Sequence, residues 1–169
     1  MANAATINKE VQLVVFDLYD EEFGLEITQV REIIKLPPIT RLPHVSDYIK
    51  GVTNIRGDII PVISLRKRFS VPEAEATSDT RVIIVEINGH CVGFIVDAVT
   101  EVMRISESAI EPPPRNLAGL RADYLKGVGK VDDRLIILLD VARILTTDEQ
   151  IELKNIEKIT TNVAGTEEK

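Results

Sequence analysis

Apolar residues in this chain fall in short dense runs rather than at helical spacing. VQLVVF (11–16), RVIIVEI (81–87) and RLIILL (134–139) are examples, and Gly, Asn, Asp and Pro separate such runs. Runs this short and this rich in Val and Ile suit strands better than helices. They predict strands at 11–19, 22–28, 30–36, 51–56 and 58–63, and again at 81–88, 91–97, 99–105, 126–131 and 134–139. Asn88-Gly89 stands between two apolar runs, and this pair favours the two-residue hairpin turn with positive φ at both positions. Helical signals are brief. Ser64 and Asp140 are N-cap residues for one or two turns, LRKRF and VARIL. Thr147 with Gln150 makes a capping box for a helix over roughly 148–159.

The order of these strands repeats. Residues 14–33 match 83–102 at an offset of 69, with Gly24 on Gly93, Val30 on Val99 and Glu32 on Glu101. Residues 47–69 match 123–145 at an offset of 76, where DYIKGV returns as DYLKGV and Ser64 as Asp140. Each copy then holds five short strands, too few to cover both faces of an open sheet, and closure removes exposed edges. The fold expected is mainly β: two five-stranded β-barrels from an internal duplication, with short helices and a C-terminal helix. The first barrel takes about 11–69 and the second about 80–145, unless the two exchange strands. The polar stretch 70–79 links the copies, the prolines at 112–114 force an extended segment, 1–10 is an N-terminal tail, 147–159 holds the last helix and 160–169 frays.

Charge and composition narrow the function. Twenty Lys and Arg against 27 Asp and Glu give a net charge of −7, and aromatic residues are only 4%. Both figures argue against a nucleic-acid surface, which needs phosphate contacts and stacking platforms, and so against an RNA-binding small barrel. The low aromatic content also predicts an aliphatic core. One cysteine among 169 residues allows no internal disulfide, fitting a reducing compartment. The start carries no signal-peptide pattern, and nothing approaches 18 consecutive apolar residues, so the expected location is cytoplasmic.

A search for catalysis finds little. His44 sits in a loop segment, and His90 and Cys91 are adjacent in a strand and face opposite ways, so they cannot converge on a metal. No glycine-rich phosphate loop occurs. No catalytic residue, cofactor or metal site is expected. Arg56 and Gly57 interest us because they break the repeat: NIRGD in the first copy faces VDDR in the second. A guanidinium at a strand end before a tight turn can fork onto a carboxylate. Glu32 is the candidate partner, and because Arg56 does not repeat, a Glu–Arg pair is expected in the first copy alone.

The run KGVTNIRGDIIPVISL (50–65) resembles the signature of the CheW-like domain of bacterial chemotaxis. VFDLYDEEFGLEITQVREII (15–34), EPPP and YLKGVGKVDDRLIILLDVARIL follow the same order, so the resemblance covers about residues 10–150. The resemblance implies a non-catalytic adaptor built of two intertwined SH3-like barrels, linking methyl-accepting chemoreceptors to the histidine kinase CheA in signalling arrays. Such a chain is monomeric alone, multimeric in arrays, and neither binds nucleic acid nor inserts in membrane. The partners implied are the kinase's regulatory domain and the cytoplasmic tip of the receptor. With no room for a kinase core or a receiver domain, the chain is similar to the free-standing members; a twitching or developmental pathway is the alternative to swimming. Carried over by motif, the partner-binding positions are Val30 and Glu32 in TQVREI, and Gly51, Asn54, Arg56 and Gly57 in KGVTNIRG.

Overall fold

The computed structural model describes residues 9–113, 124–145 and 149–156. The first copy supplies β1 (Glu10–Leu18), β2 (Glu21–Glu26), β3 (Val30–Lys35), β4 (Ile49–Ile55) and β5 (Asp58–Ser64). A single-turn helix α1 (Leu65–Arg68) follows. The second supplies β6 (Arg81–Ile87), β7 (His90–Val96), β8 (Ala98–Ser106), β9 (Ile110–Glu111), β10 (Leu125–Val131), β11 (Arg134–Leu139) and helix α2 (Val141–Ile144). All ten expected strands are present; β9 is additional. Its counterpart in the first copy is a single bridge, Thr40 to Val52, matching Glu111 to Val128.

Pairing does not respect the copy boundaries. One sheet runs β8-β1-β2-β11-β10-β9 and the other β3-β6-β7-β5-β4. Each barrel therefore takes its first hairpin from one copy and its remaining strands from the other. The contiguous units 11–69 and 80–145 do not form; the exchanged arrangement does. The parallel pairs β2–β11 and β5–β7 mark where each borrowed hairpin meets its host. The two-residue turns are the local reason the hairpins form: Asn88 and Gly89 have φ of 50° and 83°, and Tyr19 and Asp20 have 48° and 67°.

Exchange explains why the apolar runs do not alternate with polar residues. In β1, Leu13 and Val15 face a small cluster inside the six-stranded barrel, with Ile105, Ile136 and Leu138. Val14 and Phe16 face the opposite way, into a larger core shared with Ile83, Val85 and Phe94 of the other sheet. Val82 and Ile84 repeat the inner role in the five-stranded barrel. Both faces of these strands are buried, so both must be apolar. The core is not purely aliphatic: Phe16, Phe23, Phe69 and Tyr124 stack in series with centroids 5.7, 5.9 and 5.6 Å apart.

Gly24 and Gly93 stand where neighbouring side chains come close to the backbone. A Cβ on Gly24 meets Leu138 Cδ2 at 3.0 Å, and one on Gly93 meets Val82 Cγ1 at 2.8 Å. Ser64 Oγ accepts from Lys67 N at 3.2 Å and Asp140 Oδ1 from Ala142 N at 3.1 Å, so both N-caps act as read. Residues 149–156 are helical and bury Leu153 and Ile156 in the shared core. Thr147, the tails 1–8 and 157–169 and Pro114 lie outside the described residues.

At the centre lies Arg68. Its guanidinium sits between the Tyr48 and Tyr124 rings, 5.3 and 5.0 Å from their centroids. It donates to Ile144 O at 2.8 Å and to Glu149 Oε1 at 2.8 Å. Tyr48 and Tyr124 are repeats of each other, and Ile144 is the repeat of Arg68 itself. A side chain that touches both members of a repeated pair and its own counterpart sits on the pseudo-twofold axis.

Candidate functional site: the Asn-x-Arg-Gly hairpin and its carboxylate

The β4–β5 hairpin closes in a two-residue turn, Arg56-Gly57, with φ of 51° and 93°. Asn54 Oδ1 accepts from the Gly57 amide at 2.8 Å, so the asparagine fixes the turn that presents Arg56. The Arg56 guanidinium forks onto Glu32: Nη1 donates to Oε1 at 3.2 Å, and Nη2 to Oε2. This hydrogen bond is the main reason the Glu32 carboxyl lies below its ordinary value, and it holds the Arg56 guanidinium above its own.

Glu32 lies on β3 and Arg56 beside β4, the two edge strands of the five-stranded sheet. Their contact shows that the sheet curls until its edges meet. A β-bulge at Arg31, between Val30 and Glu32, helps the curl, and Thr100 marks the same irregularity on β8. Arg31 itself pairs with Glu86 on β6.

The site residues named from sequence separate into two groups. Glu32, Asn54, Arg56 and Gly57 come together at one exposed corner. Val30, two residues from Glu32, packs half-buried on the shared core, as does its repeat Val99. Gly51 lies three residues before Asn54 on β4 and is buried. It has φ of +145°, and a Cβ there would stand 2.0 Å from Thr40 O. Its glycine is required by the backbone crossing at Thr40. Ile33, next along β3, is exposed but pairs with Ile83 on the strand face opposite to Glu32, so it stands outside this corner.

One expectation fails. A Glu–Arg pair also forms in the second copy: Arg134 Nη2 donates to Glu101 Oε2 at 2.8 Å. Arg134 also forks onto Glu22 at 3.1 and 2.6 Å, which draws the Glu22 carboxyl below its usual value. Arg134 matches Asp58, two places from Arg56, so comparing aligned columns hid it. An arginine side chain spans that difference easily.

Among the described residues, no group of His, Cys, Asp and Glu is placed to hold a metal ion, and no helix is long and apolar enough to cross a membrane. The site offers a turn-mounted cation and a carboxylate that orients it. That is equipment for recognising another surface.

Residues 12–149 match the model of the CheW-like domain. The chemotaxis protein CheW of Klebsiella aerogenes is 34% identical over 94% of this chain and 99% of that protein. The CheW of Helicobacter pylori is 38% identical over 83% of this chain and 86% of that protein. In structure the chain resembles the scaffolding protein CheW of Thermoanaerobacter tengcongensis, with a TM-score of 0.77, 40% identity, and coverage of 83% and 91% of the two chains. The chain belongs to the CheW-like domain family, whose members are non-catalytic adaptors of chemotaxis.

Proposed function

We propose that this chain is a coupling protein that joins the cytoplasmic tip of methyl-accepting chemoreceptors to the regulatory domain of CheA. It works in the cytoplasm, is monomeric alone and becomes multimeric in arrays at the membrane. The observation that carries the reading is the Asn54–Arg56–Gly57 turn with Glu32 in bidentate contact, four motif residues at one exposed corner. Val30 lies nearby on β3, and Gly51 sets the β4 crossing that positions the hairpin. A guanidinium oriented by one carboxylate keeps donors for a partner. Modest interfaces of this kind gain strength by repetition in an array.

The test is capture of this chain by a purified receptor signalling fragment and by the CheA regulatory domain, each alone and together. Retention by both, with a ternary complex larger than either pair, is expected. Failure of either binary contact overturns the coupling role.

A further inference from the structure

The segment between the two copies is not a slack linker. Glu73 accepts from Ser64 Oγ at 3.0 Å and pairs with Lys50 Nζ at 3.3 Å. Pro72 O accepts from Arg66 Nη1 at 2.6 Å, and Val71 N donates to Arg66 O at 2.9 Å. These contacts draw 71–76 over a cavity of about 380 Å³. Its opposite wall combines apolar Leu36, Ile39 and Ile95 with the cations Arg41 and Lys50. Residues 72–79 are exposed, and among the described residues the segment is held by these polar contacts and, at its far end, by Thr77 N donating to Thr80 Oγ1 at 2.8 Å.

The attachment points are not local. Ser64 caps α1 and holds Glu73 with the same hydroxyl. Arg66 grips Pro72 O with one nitrogen and forks onto Asp97 with two others, at 2.9 and 2.6 Å. Asp97 joins β7 to β8, the crossing from one barrel to the other, and also accepts from Tyr19 N at 3.0 Å. Burial pushes the Asp97 carboxyl up, but Arg66 and the Tyr19 amide outweigh it and hold the group below its usual value. The segment is thus wired to the inter-barrel crossing through one side chain.

We propose that residues 71–76 are a latched strap, with Glu73 the latch, and that release opens the cavity to an acidic, apolar segment of a partner protein. The strap shows the chemistry required. Glu-Ala-Glu-Ala (73–76) sets a carboxylate on Lys50 and Ser64 and lays small apolar side chains along the cavity. A partner segment with the same alternation competes for the same contacts. While latched, the strap is an intramolecular competitor at roughly millimolar effective concentration and keeps such a segment out.

Two variants separate latch from site. Glu73→Gln removes the charge from the strap, and Lys50→Gln removes the cation from the wall. Cleavage after Ala74 and Ala76 by an alanine-preferring protease should accelerate about fivefold in both variants, the range one part-exposed ion pair allows. A labelled synthetic peptide of residues 71–77, VPEAEAT, should bind Glu73→Gln up to about fivefold more tightly than the wild type, matching the gain in opening, and fail to bind Lys50→Gln. Thermal midpoints should match wild type in both. Unchanged cleavage overturns the latch, and equal peptide binding by wild type and Glu73→Gln overturns the site. A variant that loses its fold makes the contact structural and overturns the proposal too.

Discussion

The Glu–Arg contacts on the two barrels begin with the same repeated glutamate and end differently. Arg56 rises from a hairpin tip, is 73% exposed and meets one carboxylate, Glu32. Arg134 stands at the start of β11, is 36% exposed and meets two, Glu101 and Glu22. Two changes separate them: the arginine has moved two positions, and Cys91 occupies the place of Glu22. Five N–H donors are available to a guanidinium. Arg134 spends its donors tying the borrowed β2 hairpin to β8, whereas Arg56 is oriented and still solvent-facing. Only the glutamate is repeated; each copy supplies its arginine from a different position, which makes one pair a brace and leaves the other presentable.

The sharpest break in the comparison concerns the glycines under each hairpin. Gly51→Ala should cost about 3 kcal/mol, combining backbone strain with a collision against Thr40 O. Gly127→Ala should cost about 1–2 kcal/mol, because its Cβ meets Glu111 O and Ile110 Cγ2 at 2.8 Å without the positive φ. Denaturant unfolding of both variants measures the gap; equal losses would remove the distinction between the copies.

Function offers the next contrast. Arg56→Ala should weaken binding to the receptor fragment at least about tenfold with the thermal midpoint nearly unchanged. Arg134→Ala should leave binding intact and lower the midpoint instead. Reversed outcomes would assign presentation to the wrong barrel.

A binding cycle of Glu32→Ala and Arg56→Ala refines this. If Glu32 serves only to orient Arg56, the double variant should bind no more weakly than Arg56→Ala alone. Strictly additive losses would show two independent contacts.

The smallest effect is a titration. Glu32 and Glu22 are both held below their usual value of 4.5 by an arginine. A lowered carboxylate contributes stability that is complete above 4.5 and is lost as pH falls through the folded value. Neither pair therefore responds between pH 7 and 5, and NMR should place both midpoints below 4.5. Arg134→Ala should raise the Glu22 midpoint and leave Glu32 unmoved; Arg56→Ala should do the converse.

What was legible in the sequence follows from what is local. Strands, turns and N-caps were readable because Asn88-Gly89, Ser64 and Asp140 act within a few residues of themselves. Exchange was not readable from the residues alone, because Val14 and Val15 are apolar whichever copy covers them. That Asn54, Arg56, Gly57 and Glu32 belong together was legible through the motifs KGVTNIRG and TQVREI. Arg134 was hidden by column-wise comparison. Arg68 was hidden for another reason: its twin in the second copy is the apolar Ile144, so a search for repeated chemistry passes over it.

The hairpin exchange also sets an order of events during synthesis. The five-stranded sheet is complete in sequence at Val96, while the six-stranded one waits for Leu139. At about 5–20 residues per second, several seconds separate the two. Through most of that interval the nascent chain holds β1, β2 and β8 but lacks β11, the strand that pairs with β2. Its finished sheet meanwhile offers Ile83, Val85 and Phe94 to whatever is near. The N-terminal hairpin has already emerged and carries the complementary Val14, Phe16 and Leu25, so it is the first surface able to shield that face. By placing the borrowed hairpin first in the chain, the fold has the lasting cover for that face at hand before the six-stranded sheet is finished.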